Sequence, residues 1–248
     1  QLDRGMLKER DLTEEEALQQ AITSVISASK LGCTVMREQY LLSPASLEKL
    51  APYAEAYNVR VGIEIHNPES PITPAILEYL EVIERTKSKF IGFIPDFGAF
   101  ATGPNKPIWD RALSKGATTE QLKRCAQLKY DEVSKEDALK IMDSEIEKTP
   151  ALLDVINSFY GFVQFKKDIS KELEGLKRIM PYVFSMHGKF HYVDENLHEP
   201  AIPYEEIIPV IEASGYDGYI VTEYEDEGGY DAIEQCHRHI AMIKKLTS

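Results

Sequence analysis

The stretch VGIEIHNPES, residues 61–70, decides the fold class, because it alternates like a β-strand and carries ionisable side chains at its end. Successive strand residues face opposite sides, so Glu64 and His66 point one way while Val61, Ile63 and Ile65 point the other. An isolated buried carboxylate is unfavourable by on the order of several kcal/mol. Glu64 must therefore be solvated, paired with a cation or bound to a metal ion.

Strand and helix patterns alternate on both sides of this stretch. Thr13 and Glu16 form a capping-box pattern that predicts a helix up to about Lys30. Further helical patterns separate the apolar segments, and this order predicts a parallel α/β fold. The predicted strands lie near residues 33–40, 59–66, 90–96, 182–190 and 219–224.

Four of the five predicted strands have an ionisable residue near the C-terminal end, namely Glu64, Asp96, His187 and Glu223. In a (β/α)₈ TIM barrel these strand ends converge on one face. Three carboxylates and an imidazole suit a divalent cation, Mn²⁺ above all, with Mg²⁺, Co²⁺, Zn²⁺ and Fe²⁺ as alternatives. The other interpretation is that all four are ordinary solvated or paired side chains.

The spacing of these residues supports a barrel. Glu64 and Asp96 are 32 positions apart, and His187 and Glu223 are 36 apart, each close to one βα unit of ~31 residues. Asp96 and His187 are 91 apart, which predicts an insertion of roughly 60 residues beyond one unit. We expect one TIM-barrel domain over residues 1–248, with a mostly helical insertion at 107–167 that acts as a lid or binds a partner.

The predicted strands account for only five βα units of an eight-unit barrel, and no strand is predicted before the helix near Thr13. An open five-stranded parallel sheet would expose an apolar core. We therefore expect a longer natural polypeptide, with three strands preceding Gln1 or supplied separately.

Composition narrows the function classes. The formal net charge of -13 argues against nucleic-acid binding, including by a trinuclear zinc endonuclease of the endonuclease IV type, which would need a basic groove. The sequence has no apolar run of about 18 residues, the length typical of a membrane span. Its three cysteines lack CxxC spacing and are expected to be reduced thiols, which predicts a cytoplasmic protein.

Several segments resemble a known family. The Glu, Asp, His, Glu order resembles the xylose isomerase-like TIM-barrel superfamily of sugar phosphate isomerases and epimerases. More narrowly, the sequence resembles the α subunit of bacterial C-glycoside deglycosidases from about residue 11 onward. The segments that carry this resemblance are VGIEIHNP, GFIPDFGAF, SMHGKFHYVDEN, PAIPYEEIIPVIEASGYDGYIVTEYE and DAIEQCHRHIAMIKKL.

The resemblance implies roles for individual residues. The four strand-end residues match the metal ligands of the family, and His66 matches its general base. Lys189, two positions after His187, matches the Lys of a His-x-Lys motif and is expected to reach the active site. His191 stands where the family pattern has an aromatic residue. We expect it to bind substrate.

Other side chains have two interpretations. Arg37 and Gln39, at the end of the first predicted strand, could bind sugar hydroxyls, although Arg37 could equally form a structural ion pair. Aromatic residues of the insertion could stack on an aromatic aglycone or a partner, but packing is the favoured role. These residues are Trp109, Phe159, Tyr160, Phe162 and Phe165.

The resemblance implies metal-dependent removal of a proton next to a sugar carbonyl. It favours a carbon lyase that cleaves the C-glycosidic bond of 3-oxo-glucosides by β-elimination, after a separate oxidoreductase has made the 3-oxo group. It also implies a small β subunit and a homo- or hetero-oligomer. The alternatives are an isomerase or epimerase acting on a ketose or sugar phosphate, and a non-catalytic sugar-binding subunit.

Overall fold

Strands and helices alternate over residues 14–95 and again over residues 186–246, as the sequence predicts, with a run of helices between the two ranges. The computed structural model describes residues 6–7, 10–39, 42–145, 149–161, 163–225 and 229–248. The strands are β1 (Met6–Leu7), β2 (Arg10–Asp11), β3 (Val35–Glu38), β4 (Arg60–Ile65), β5 (Ile91–Pro95), β6 (Met186–Phe190) and β7 (Ile220–Tyr224). The helices are α1 (Glu14–Lys30), α2 (Pro44–Ala56), α3 (Pro74–Thr86), α4 (Lys106–Ser114), α5 (Thr119–Tyr130), α6 (Lys135–Glu145), α7 (Pro150–Phe159), α8 (Ser170–Ile179), α9 (Tyr204–Ala213) and α10 (Ala232–Leu246).

Internal contacts divide the chain into two units. The first contains the residues up to Asp96 together with Gly175–His187 and Tyr216–Val221. The second contains Phe97–Glu174, Gly188–Gly215 and Thr222–Ser248. The prediction of one domain with an insertion at 107–167 remains a prediction.

The first unit is built on the parallel sheet β3-β4-β5. Every residue of β4 except Arg60 is buried, which is typical of a parallel strand covered on both faces. Glu64 pairs with Ile94 of β5 in this register, so the carboxylate lies near the C-terminal end of the sheet. The strand signal at residues 61–65 is therefore confirmed.

Local caps set two helix starts of the first unit, and the first of them is the predicted capping box. Thr13 and Glu16 form the capping box, with the Thr13 backbone N–H donating to Oε2 of Glu16 over 2.9 Å. At the start of α2, Ser43 Oγ accepts from the Ser46 N–H, and Pro44 occupies the first turn, where its missing N–H costs nothing. Hydrogen bonds within the first turn therefore set the start of each helix.

Two short strands before α1 contradict the expectation that no strand precedes it. β1 and β2 pair in antiparallel fashion, Met6 opposite Asp11 and Leu7 opposite Arg10. Strands of two residues are too short for hydrophobic alternation to be detected. Their antiparallel pairing also distinguishes them from the strands of the parallel sheet.

The strand predicted at 182–190 begins later than expected. Met180–Tyr182 form a 3₁₀ turn that contains Pro181, and the strand starts at Met186. Here the chain passes very close to β5: a Cβ added to Gly92 would lie 2.2 Å from the Tyr182 carbonyl oxygen. Glycine at position 92 therefore permits an approach that any side chain would block.

Two isolated parallel bridges continue this approach. They join Phe93 to Val183 and Asp96 to His187. The second bridge makes Asp96 and His187 backbone neighbours, although 91 positions separate them in sequence. The fold thus brings two of the predicted strand-end residues to the same edge.

The second unit contains the helices α4–α7, which cover most of the range predicted as a helical insertion. The rings of Phe159 and Phe165 are buried and meet edge to face with centroids 5.0 Å apart, and Tyr130 contacts Phe165 in the same way. Packing is therefore the role of Phe159 and Phe165, as favoured. Phe162 lies outside the described residues.

Among the helices that the structure describes, none combines the length and apolar character needed to cross a membrane.

Candidate functional site

Three of the predicted metal ligands come together in the first unit. Glu64 lies on β4, Asp96 follows β5, and His187 lies on β6. One ligand atom from each of these side chains lies within 4.8 Å of those from the other two. Both carboxylates are essentially inaccessible to solvent, at 1% and 0% exposure.

The Glu64 carboxylate is the best-connected group of this cluster. Its Oε1 lies 2.6 Å from Nη1 of Arg37 and 2.9 Å from Nδ1 of His187. Its Oε2 accepts a hydrogen bond from Nε2 of Gln39 over 3.3 Å. Arg37 and Gln39, predicted at the end of the first strand, therefore both reach the predicted metal ligand.

These contacts keep Glu64 ionised. Burial by itself raises the pKa of a carboxyl group, but the hydrogen bonds from His187 and Arg37 and the charge of Arg37 outweigh it and lower the pKa of Glu64 to about 2. A buried anionic oxygen beside a second carboxylate and an imidazole is a donor set that fits a divalent cation. The ion pair predicted as one alternative for Arg37 is present, and its role toward substrate stays a prediction.

His66 follows β4 and is half-buried. Its Nδ1 lies 2.6 Å from the Asn67 carbonyl oxygen, and a carbonyl can only accept, so Nδ1 carries the proton. In the neutral ring the lone pair then belongs to Nε2. The main chain thus fixes which nitrogen of His66 is the basic one.

In the second unit, Lys189 and His191 both contact Glu225, the residue that directly follows β7. Lys189 is buried, and its Nζ lies 2.8 Å from Oε2 of Glu225. His191 is also buried, and its Nδ1–H donates to the Glu225 carbonyl oxygen over 2.8 Å. Sequence reasoning missed Glu225, although its position two residues after Glu223 on a strand would place both on one face.

A buried polar network supports Lys189 from the protein interior. The Tyr204 hydroxyl donates to the Lys189 carbonyl oxygen over 2.8 Å and lies 2.8 Å from Nε2 of His239. The His239 ring stacks on Phe190 at 4.2 Å, and burial lowers its pKa to about 4. His239 is therefore a buried structural histidine whose ring nitrogens contact the hydroxyls of Tyr204 and Thr222.

A second carboxylate that sequence reasoning missed organises the loop after β6. Glu199 is buried, and its Oε2 accepts hydrogen bonds from the N–H groups of Ala201 (2.7 Å) and Ile202. Burial raises the pKa of Glu199 to about 7, against the lowering effect of the Ile202, Ala201, His191 and Tyr192 backbone N–H groups. Nothing in the local sequence DENLHEPA distinguishes Glu199 from a surface glutamate.

We expect Glu199→Gln to stabilise the protein increasingly as pH rises from about 4.5 to 7. A carboxyl whose folded-state pKa is raised binds its proton more tightly when folded, so its contribution to stability is lost as pH rises through that window. Glutamine does not titrate and keeps an acceptor for both N–H groups. The gain in unfolding free energy should approach about 3 kcal/mol at neutral pH, from about 1.4 kcal/mol per pKa unit.

Urea unfolding of both proteins at several pH values measures this gap. Glu206→Gln, an exposed substitution on α9, is the control for the same change of side chain. A gap between Glu199→Gln and the unsubstituted protein that stays constant with pH would contradict the assignment.

The fourth predicted ligand, Glu223, belongs to the second unit. It lies half-buried on β7, two residues before Glu225. Its position near the end of a strand agrees with the sequence-based expectation, and its role as a ligand stays a prediction.

The comparison with family models decides the classification of this fold. The model described as xylose isomerase-like TIM barrel matches residues 3–246, nearly the whole chain. The chain belongs to this family. The predicted TIM-barrel fold class is thereby confirmed.

Two named relatives narrow the comparison within the xylose isomerase-like family. The α subunit of 3'-dehydrocarminate deglycosidase from Microbacterium sp is 29% identical over 232 residues, which cover 90% of this chain and 66% of the relative. The C-glycoside deglycosidase α subunit from Microbacterium trichothecenolyticum is 27% identical, with 90% and 62% covered. The chain therefore spans just under two thirds of the length of these relatives.

Solved structures agree on the fold. An L-ribulose 3-epimerase superposes with a TM-score of 0.54 at 13% identity, covering 94% of this chain and 67% of that one. A D-tagatose 3-epimerase-like protein gives 0.52 at 14% identity, covering 98% and 75%.

Proposed function

We propose that this protein is a divalent-metal-dependent enzyme that removes a proton next to a sugar carbonyl. The observation that carries the proposal is the cluster of Glu64, Asp96 and His187, in which two buried carboxylates meet an imidazole at neighbouring strand ends. Such a cluster is costly to bury without a cation to balance it. We add Glu223 as the fourth ligand and favour Mn²⁺, because the set mixes carboxylate oxygens with one imidazole nitrogen.

A divalent ion bound there would supply positive charge to the oxygens of a sugar carbonyl and of a neighbouring hydroxyl, which acidifies the adjacent C–H. The rest of the chemistry falls to the chain itself. We assign His66 as the general base, since its Nδ1–H is committed to the Asn67 carbonyl and Nε2 holds the lone pair. Two-residue spacing from Glu64 on an extended strand supports this role.

Charged and polar side chains would orient the sugar. Arg37 and Gln39 have donors beyond those directed at Glu64, and these would bind sugar hydroxyls. Lys189 would place a cation beside a substrate oxygen, with Glu225 and the Tyr204 hydroxyl fixing its position. His191, whose Nδ1 donates to the Glu225 carbonyl, would also contact the substrate.

We further propose β-elimination as the outcome, with a 3-oxo-glucoside carrying a C-linked aglycone as the substrate. The proton leaves for His66, a C=C bond forms next to the carbonyl, and the electron pair of the C–C bond departs with the aglycone, which is then protonated. The names of the two deglycosidase relatives support this choice. Return of the proton to the substrate, as in an isomerase or epimerase, would need the same residues.

The assembly and location are part of the same proposal. Because both relatives are named α subunits, we propose that this chain works with a smaller partner subunit. Cys33, Cys125 and Cys236 are free thiols, which supports a cytoplasmic location.

Deuterium exchange tests proton abstraction separately from its outcome. The Mn²⁺-loaded protein is incubated in D₂O with three substrates: a C-linked aromatic 3-oxo-glucoside, its O-linked counterpart and a free ketose. NMR follows solvent deuterium at the carbon next to the carbonyl, and chromatography follows released aglycone and epimers. Exchange with aglycone release supports elimination, and exchange with epimers supports the alternative. Aglycone release without exchange also supports elimination, since the proton need not return. Absence of exchange, aglycone release and epimers with all three substrates contradicts the proposal and favours a non-catalytic sugar-binding subunit.

A further inference from the structure

The helical part of the second unit contains an open cleft with no assigned role. It lies between α4 and α5, has a volume of about 670 Å³, and is lined by apolar residues that include Pro104, Leu113 and Pro200. Small-molecule sites usually measure roughly 300–1,000 Å³ and combine apolar walls with a few polar groups. Trp109 and Tyr130 supply aromatic walls to this cleft.

Contacts hold one of the two aromatic walls, Tyr130, in place before any ligand arrives. Trp109 is half-buried on α4 and is the single tryptophan of the chain. The Tyr130 hydroxyl donates to the Thr102 carbonyl oxygen over 2.9 Å, and its ring rests edge-on against buried Phe165. Fixed rings lose little conformational entropy when a flat molecule stacks on them.

A charged wall gives the cleft a polar end. Lys106 pairs with Asp110 over 2.5 Å, and its Nζ lies 5.1 Å from the Tyr192 ring centre and 5.9 Å from that of Tyr230. The Tyr230 hydroxyl donates to Asp110. A second cation, Lys123, also lines the cleft, so the lining carries two lysines against one aspartate in a chain of net charge -13.

The charged wall is connected through the main chain to the residues around Glu225. Tyr192 directly follows His191, whose Nδ1 is bound to the Glu225 carbonyl. Tyr192 thus joins the lysine side of the cleft to the residues around Glu225, because it follows His191 and its ring lies beside Lys106. A ligand that contacts both places would be polar at the His191 end and flat and apolar at the Trp109 end.

We propose that this cleft binds a planar hydroxylated aromatic ring system, the aglycone of the substrate. The identification of the ring as the aglycone rests on the proposed function. The binding of an aromatic ring in the cleft does not depend on it. Trp109 and Tyr130 would stack against the ring, and Lys106 and Lys123 would face its phenolate or carboxylate oxygens. The role of Trp109 then differs from that of Phe159 and Phe165, which are enclosed in the core.

A sugar-free probe tests ring binding without turnover. The protein is stripped of metal with a chelator and titrated with 3-hydroxy-2-naphthoate in a calorimeter, while the emission of Trp109 is recorded in parallel. We expect saturable binding and a matching change in Trp109 emission. Trp109→Ala should weaken binding at least about tenfold, and Trp109→Phe should restore most of it. Tyr53→Ala, an exposed aromatic residue on α2, is the matched control and should bind like the unsubstituted protein.

The outcomes separate this proposal from the proposed function. Binding that depends on Trp109 supports the cleft even if no glycoside is turned over. Absence of binding, or binding that Trp109→Ala leaves unchanged, overturns the cleft even if deglycosylation is observed. A Trp109 signal that responds only to a protein partner also overturns it, because the cleft would then be an interface.

Discussion

His66→Ala should lower turnover of a 3-oxo-glycoside by ~10²–10⁴ while the protein keeps its metal, the range expected when a general base is removed. His66 follows the strand that bears Glu64, yet its Nδ1 is bound to its own main chain at Asn67. Because His66 is not one of the proposed metal ligands, losing the ring should leave the ligand set complete. Turnover, deuterium exchange and metal content together measure the effect.

The control for His66→Ala is His198→Ala, because His198 is an exposed histidine paired with Glu205 on the surface. We expect that variant to match the unsubstituted protein in all three measurements. If metal-loaded His66→Ala still exchanges deuterium at the full rate, another residue must take the proton.

Asp96→Asn and His187→Ala should each weaken Mn²⁺ binding by more than ~100-fold, beyond the 10–100-fold typical of outer-shell changes. Asp96→Asn removes the negative charge of one proposed ligand and His187→Ala removes the imidazole of another, while the isolated bridge between the two residues would still hold the backbone. At saturating metal, a 100-fold loss of affinity removes about 2.7 kcal/mol of the stability that binding gives the folded state.

The decisive quantity is the increase in Tm on adding Mn²⁺, since it separates lost binding from general destabilisation. Both variants should lose most of this increase, and His198→Ala should retain it. Undiminished metal content and an unchanged increase in both variants would remove the cluster from metal binding.

Much of the first unit could be predicted because its signals are local. Period-2 alternation predicts β4, and the Thr13–Glu16 and Ser43–Pro44 patterns set helix starts by hydrogen bonds within one turn. The Glu64, Asp96 and His187 cluster also follows from the sequence, because parallel strands bring their C-terminal ends to one edge whatever the loops between them do.

The supporting partners could not be predicted, because their roles depend on contacts between distant residues. Glu199 is a buried loop carboxylate satisfied by main-chain N–H groups, and Tyr204 reaches the Lys189 carbonyl across fifteen positions. The aromatic residues of the predicted insertion also could not be told apart from the sequence. Phe159 and Trp109 look alike in sequence, but tertiary packing encloses one and leaves the other lining a cleft.

The Arg37–Glu64 contact has a consequence for electroneutrality. A guanidinium stays positive at every physiological pH, so it permanently cancels one carboxylate charge beside the cluster. If Glu64, Asp96 and Glu223 hold the ion as proposed, their three negative charges would equal the +3 of a divalent cation and Arg37. A neutral sugar adds no charge to such a centre, and the first negative charge to appear there would be that of the substrate as it gives up its proton. Arg37 would thus help to set the net charge of the centre before proton removal, even if it never touches the sugar.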